Sequence, residues 1–254
     1  MLVLGICSLK GGVGKTSVTL GLASAALARG VRTLVVDLDP QGDSTMALAP
    51  APDPDALDVA AVLDSPTYAT IQRATAPSGW AEEGLDVMRG SEASARHDGS
   101  EPLAGRLSEV LSLLPGYDLV LVDCPPSLGG LTRTGLAGCD RAAVVTEPGL
   151  FSVMAVGRAL RTVDELRRTG AARVQPLGIV VNRVKTRSLE QEYRLGELRQ
   201  LYGPLVLSPV VPERAAVQQA QGAAVPIHAW PGPAAAIVAY AFDRLLDRAL
   251  RAPR

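Results

Sequence analysis

The chain reads as a three-layer α/β protein, a mostly parallel, twisted sheet with helices on both faces, in a single domain over residues 1–254. Three observations carry that expectation. Short apolar runs alternate with segments of helical period. The first run passes straight into a glycine-rich loop, and two later runs end in carboxylates. With 254 residues, 47% apolar and 20% charged, the chain is long enough for one large core and too apolar for global disorder.

The elements follow in order. Leu2–Cys7 is a strand with no charged residue. The opening MLVLGIC lacks a basic leader and a cleavage site, so a buried strand is expected rather than a signal peptide. Val18, Leu22, Ala25 and Ala26 form a helical stripe that stops at Gly30. Arg32–Asp37 is a second strand around Leu34, Val35 and Val36. Ala49–Asp58, rich in Pro, Ala and Asp, and the polar Gly90–Pro102 are surface excursions. A helix is expected at 102–114, strands at Leu119–Asp123 and Ala142–Thr146, a helix at 151–169 and a strand at Leu177–Val181. Two more helices are expected. One, at 189–202, carries Leu189, Tyr193, Leu198 and Leu201; the other, at 233–250, turns Ile237, Tyr240, Leu245 and Leu246 inward. No apolar run reaches the ~18 residues that span a bilayer.

The formal net charge of −1 is unevenly spread. Residues 37–101 hold thirteen acidic and three basic side chains, whereas residues 158–199 hold ten basic and five acidic ones. The second stretch suits either an anionic partner or a solvated helix surface. Three cysteines, Cys7, Cys124 and Cys139, without a CxxC pair exclude a disulfide framework and fit a reduced compartment. His97 and His228 are too few and too far apart for a zinc site. Three lysines stand against twenty-two arginines, yet Lys10 and Lys15 share one short loop, where a compact ammonium is wanted and a guanidinium is too large.

That loop is Ser8-Leu9-Lys10-Gly11-Gly12-Val13-Gly14-Lys15-Thr16, set between a strand and a helix as a phosphate-binding loop requires. Glycines let successive N–H groups turn toward phosphate oxygens, and the following helix N-terminus adds partial positive charge. Lys15 can reach β- and γ-phosphates, and the Thr16 hydroxyl can ligate Mg²⁺. Leu9 stands where a strict Walker A motif has glycine. Ligands of open α/β sheets sit beyond the carboxyl ends of the strands. Two other strands end there in Asp37-Leu38-Asp39-Pro40-Gln41-Gly42-Asp43 and in Val122-Asp123-Cys124-Pro125-Pro126-Ser127. Asp123 has the position of a Walker B acid, able to hold Mg²⁺. Asp43 is read as a turn or cap residue. Asn182, after Ile179-Val180-Val181, is either a turn residue or an amide that meets a purine edge.

KGGVGKT with its extra lysine, DLDPQG, DCPPS, TEPGLFSVMAVGRAL and VPERAAVQQAQGAAVPI together resemble the ParA/MinD ATPases with a deviant Walker A motif, closest to the ParA (Soj-like) partitioning branch, over nearly the whole chain. The resemblance implies a P-loop NTPase fold, ATP and Mg²⁺ as cofactors, and slow, partner-stimulated hydrolysis to ADP and phosphate. It implies nucleotide contacts from Lys10, Gly11, Gly12, Val13, Gly14, Lys15, Thr16 and Ser17, with Lys10 reaching across a homodimer to the partner's nucleotide. Asp39 would orient the attacking water; Asp37 would support the metal and the switch region beside Thr16 and Asp123. Adenine would meet Asn182, Arg183, Pro212 and Glu213. An iron–sulfur relative would need two suitably placed thiolates per chain, and Cys7 and Cys139 are poor partners for Cys124.

By the same resemblance the partner is a ParB-like or other cargo adaptor, and the cargo is a chromosome, a plasmid or a protein assembly. Partitioning members often carry a DNA-binding arginine where Ala216 stands, so nonspecific DNA contacts would shift to Arg183, Lys185, Arg187, Arg194, Arg199 and Arg214. The end of the chain, Leu246 to Arg254, offers no wide apolar face for an interfacial membrane anchor. A cytoplasmic, nucleoid-based role is therefore expected over a MinD-like membrane cycle, over a metabolic P-loop enzyme and over a non-hydrolysing scaffold.

Overall fold

The computed structural model describes residues 1–99, 103, 105–114, 116–170 and 172–252. Seven strands form one sheet in the order β3-β4-β2-β5-β1-β6-β7. They are β1 Leu2–Cys7, β2 Thr33–Asp37, β3 Thr75–Pro77, β4 Leu85–Met88, β5 Leu119–Asp123, β6 Arg141–Thr146 and β7 Gln175–Val181. All pairings are parallel except β3 with β4, so the sheet has one short antiparallel edge.

Side chains of a strand alternate between faces, and here the alternation divides two cores. Leu2, Leu4 and Ile6 of β1, Val35 of β2, and Leu119 and Leu121 of β5 pack on one face. Val3 and Cys7, Leu34 and Val36, and Val120 and Val122 pack on the other. The first face is covered by α1 Lys15–Ala28, α9 Ala215–Gly222 and α10 Pro233–Leu250. The second lies under α3 Val59–Asp64, α4 Tyr68–Ala74, α5 Arg106–Ser112, α6 Gly130–Ala137, α7 Leu150–Arg168 and α8 Leu189–Tyr202. A short helix, α2 Asp43–Leu48, follows β2.

Several expectations are corrected. The stripe on α1 is not one-sided: residues Val18 through Ala26 are all buried, because α10 closes over the face turned away from the sheet. On α10, Leu245 and Leu246 point inward, but Ile237 is 50% and Tyr240 62% exposed. Val238, Ala239, Ala241 and Phe242 take the inward positions instead. On α8 only Leu195 and Leu198 are buried, whereas Leu189, Tyr193 and Leu201 face solvent. The helix expected at 102–114 spans Arg106–Ser112, and Pro102 and Ala104 lie outside the described residues, as do Pro253 and Arg254 of the chain end. Of the two expected surface excursions, Ala49–Asp58 carries no helix or strand and is exposed over residues 51–55, as expected, whereas Glu92–His97 within the second forms a short 3-10 helix. The stretch between them supplies α3, α4 and the strand pair β3–β4.

Candidate nucleotide site

Parallel register places the chemistry. β1 pairs with β5 so that Ile6 lies beside Asp123, and β2 pairs with β5 so that Asp37 lies beside Asp123. All three strands therefore end level, and the segments leaving them meet at one edge of the sheet. After β1, the Ser8 hydroxyl donates to the Lys10 carbonyl at 2.8 Å, which curls the loop. Gly12 and Gly14 take left-handed φ of 78° and 85°, and Gly14 caps α1. A Cβ on Gly14 would sit 2.3 Å from Asn182 Nδ2, so the position requires glycine for space as well as for conformation.

A cleft of about 620 Å³ opens above this loop. Gly11, Gly12, Gly14, Lys15, Thr16 and Ser17 line one side, with Asp39, Gln41, Asp43 and Met46 opposite. Lys15 is buried, with Nζ 4.0 Å from Asp39 Oδ2. Asp39 is held by its own turn: the Gln41 N–H donates to Oδ1 at 3.1 Å, and the Gly42 N–H donates to the Asp39 carbonyl. Asp43, read as a turn or cap residue, is the first residue of α2; Gly42 is its cap.

Asp123 is fully buried, and its Oδ2 accepts from Ser44 Oγ at 2.7 Å. Burial pushes its carboxyl up to about 6, against the opposing pull of Ser44, Lys15 and the Thr16 hydroxyl. Asp37 sits behind the cleft rather than in its lining. Its Oδ2 accepts from the Thr45 N–H and hydroxyl, and burial, reinforced by Asp123, pushes it up to about 7. Both acids keep one buried oxygen, Oδ1, with no hydrogen-bond partner among the described residues. Two buried, incompletely satisfied carboxylates beside a threonine hydroxyl fit a hard divalent cation such as Mg²⁺. Among the described residues no group of three His, Cys, Asp or Glu side chains could hold a metal by itself, so an ion here would take further oxygens from hydroxyls, water or a bound phosphate.

Lys10 is placed differently from Lys15. It does not line the cleft; its side chain is 45% exposed and its ammonium pairs with Glu147, just before α7. A second cavity of about 280 Å³ adjoins the cleft, sharing Ser17, Arg183 and Gln221 with it. Asn182, Pro212 and Glu213 line this cavity. The Asn182 amide nitrogen, however, is already committed to the loop, donating to the Val13 carbonyl at 2.9 Å. Arg183 has a left-handed φ of 55° that turns its guanidinium back onto the Gly12 carbonyl.

The basic residues after β7 do not form one free patch. Lys185 pairs with Glu213, Arg194 is clasped by Glu190 and Glu197, and Arg214 donates to the Glu213 carbonyl and the Thr186 hydroxyl. Arg187 and Arg199 are exposed and have no carboxylate partner among the described residues. Ala216, in the first turn of α9, is buried against the core, so a surface cation at that turn has to come from a neighbouring position such as Arg214. The three cysteines are buried, and burial pushes the Cys7 thiol up to about 12 and the other two well above the usual range.

Sequence reasoning missed Ser44 and Thr45, which hold the two buried acids, and Glu147, Gln41 and Gln221. Hydroxyls directly after DLDPQGD were the available signal for the first two. Gln221 comes from α9, whose approach to the loop only the tertiary fold reveals.

Residues 4–227 match the CobQ/CobB/MinD/ParA nucleotide binding domain. The chain belongs to this family, whose ParA/MinD-type members are P-loop ATPases. It is 30% identical to the chromosome-partitioning ATPase Soj of Thermus thermophilus over 97% of this chain and 94% of the relative. Among solved structures, cobyrinic acid a,c-diamide synthase from Mycobacterium smegmatis with bound ATP analog and magnesium superposes with a TM-score of 0.77 at 26% identity, covering 97% and 93% of the two chains. Apo McdA from Cyanothece reaches a TM-score of 0.84 at 19% identity, covering 98% and 99%, a likeness of fold. No helix among the described residues is long and apolar enough to cross a membrane.

Proposed function

We propose that this chain is a ParA-type switch: a Mg-ATP-dependent, dimerising ATPase that positions or segregates DNA or another cargo. The observation that carries the reading is the contrast between the two lysines of one loop. Lys15 is buried over the cleft floor within reach of Asp39, whereas Lys10 does not line its own cleft and rests on the half-buried carboxylate of Glu147. A lysine that leaves its own site is free to serve a second copy of the chain.

In this reading the triphosphate lies along Gly11–Thr16 with Lys15 on its outer phosphates, and the base enters the adjoining cavity against Asn182, Arg183, Pro212 and Glu213. Bound Mg²⁺ would neutralise phosphate charge, held by Thr16 and Asp123, with Asp37 anchoring α2 through Thr45. Asp39, fixed by its turn, orients the attacking water and accepts its proton. Dimerisation draws Lys10 from Glu147 to the facing nucleotide, and hydrolysis lets the copies part. A ParB-like or other adaptor would speed that step. Nonspecific DNA would be held by the dimer through Arg187 and Arg199, joined by Arg183, Lys185, Arg194 and Arg214 as their ion pairs open, in the cytoplasm at the nucleoid.

Light scattering with ATP and Mg²⁺ tests the switch. Lys10→Ala should bind ATP and stay monomeric; Asp39→Ala should bind ATP and remain a dimer. A Lys10→Ala protein that dimerises as the native chain does would remove the crossing role. A mobility-shift titration on nonspecific DNA across salt concentrations tests the cargo, and a shift independent of ATP would count against a switched grip.

A further inference from the structure

Residues 37–101 carry only three basic side chains among thirteen acidic ones. Arg96 is neutralised by Asp64. Arg73 and Arg89 have no carboxylate partner among the described residues; both guanidinium groups donate only to main-chain carbonyls, Arg73 to Asp55 and Arg89 to Arg73 and Ala51. These bonds pin the segment after α2, yet they leave N–H donors unused on each fork. They also leave both guanidinium charges without a direct carboxylate contact among the described residues. Both arginines line one cavity of about 620 Å³, as large as the nucleotide cleft and sharing no residue with it.

The cavity lies along the open edge of β3. Ala76 faces Val87 of β4, and the Ser78 and Arg89 N–H groups complete the ladder to Leu85 and Ala74. The carbonyls of Thr75 and Pro77 therefore point outward. No donor accompanies them: the Thr75 N–H is taken by the Ile71 carbonyl, and proline has none. The edge thus offers acceptors and the arginines offer cations, while Asp53 and Glu82, both exposed, line the same cavity. A phosphate group, free or in a nucleic-acid backbone, brings only acceptors to that edge and meets two carboxylates. A peptide brings N–H donors, a planar carboxylate matched to the guanidinium fork, and cations for Asp53 and Glu82.

We propose that this groove binds an extended segment of a partner protein, seated by a carboxylate between Arg73 and Arg89. The segment's N–H groups donate to the Thr75 and Pro77 carbonyls, and its basic side chains lie toward Asp53 and Glu82. Because the groove and the nucleotide cleft share no lining residue, the site stands whether or not the ATP-dependent switch is correct.

The test is amide-resolved NMR of the full chain with the blocked peptide acetyl-Lys-Ala-Glu-Ala-Lys-amide. Saturable shifts are expected at Ala76, Ser78 and Gly79. Replacing the peptide's glutamate by glutamine, or making Arg73→Gln or Arg89→Gln, should weaken binding about tenfold, as for a lost charge-assisted hydrogen bond. ATP affinity should stay unchanged in both variants. A glutamine peptide ending in a free carboxylate shows whether a chain terminus serves as well as a side chain. Equal binding of the glutamate and amidated glutamine peptides would overturn the proposal, as would absence of shifts at millimolar peptide, or inorganic phosphate moving the same amides at lower concentration. The peptide comparison on the native chain decides the matter even if an arginine variant fails to fold.

Discussion

Asn182 offers the sharpest test of how the phosphate loop is held. Its side chain, 4% exposed at the end of β7, donates to the Val13 carbonyl at 2.9 Å and occupies the space that a Cβ on Gly14 would invade. Asn182→Ala leaves that carbonyl buried without its donor, a loss of about 1–3 kcal/mol. If the loop must keep its shape to bind phosphate, ATP affinity falls between about 5-fold and 150-fold. Because the amide nitrogen serves the loop, the loss should not depend on the base. Calorimetry with ATP and with inorganic tripolyphosphate, each with Mg²⁺, should show both weakened by a similar factor. Asn182→Asp, which cannot donate, should do no better than alanine. Loss of ATP binding with tripolyphosphate unaffected would refute the bracing role and make Asn182 a base contact.

Four further outcomes are expected. In Gly21→Ala, the new Cβ would lie 2.2 Å from the Phe242 ring, so α1 and α10 must separate; denaturant unfolding should show a loss of about 1–3 kcal/mol. His228 bonds Ser24 at 2.7 Å, and burial holds its pKa below the ordinary value despite Asp243 nearby. The unfolded chain therefore takes up the proton first as pH falls below about 6.5, so stability is intact above that pH and declines beneath it; His228→Gln should flatten this part of the melting profile. Glu147→Gln should release Lys10 and favour the ATP-dependent dimer, by no more than about fivefold because exposed pairs contribute about 0–1 kcal/mol. Asp123→Asn should weaken ATP binding with Mg²⁺ but strengthen it in EDTA, and weakening in both conditions would count against a metal-holding role.

Much of the fold was legible because parallel strands buried on both faces read as continuous apolar runs; β1, β2, β5, β6 and β7 were all expected within two residues. The phosphate loop was legible for a different reason, since its glycines, lysines and flanking elements are contiguous in sequence. What was missed is short or depends on distant packing. β3 and β4 have three and four residues, and α2, α3 and α4 six or seven, too few for a period to emerge. The inward assignment of Tyr240 failed because apolarity alone does not say which arc of α10 faces α1. Glu147 carried no local signal, since its partner lies 137 residues away.

The charges at the cleft floor argue for one order of events. Asp39 and Asp123 are buried there with Asp37 behind them, and Lys15 is the one buried ammonium among them. Burial, with the neighbouring carboxylates adding to it, pushes Asp37 up to about 7 and Asp123 up to about 6, so with this imbalance further negative charge is costly there. A triphosphate alone would worsen it, since two unit charges about 8 Å apart repel by about 2 kcal/mol at an effective dielectric of about 20. In the proposed switch the floor would therefore take up nucleotide most readily together with a divalent cation, and the unpartnered Oδ1 of Asp123 is an oxygen left for that charge. Lys10, outside this balance and tethered by a surface carboxylate, is in the proposed switch the positive charge that a second chain would contribute. If the chain pairs as proposed, the cleft is closer to neutrality with magnesium and a facing subunit than with either alone, and nucleotide binding and pairing would strengthen each other through the same deficit of positive charge.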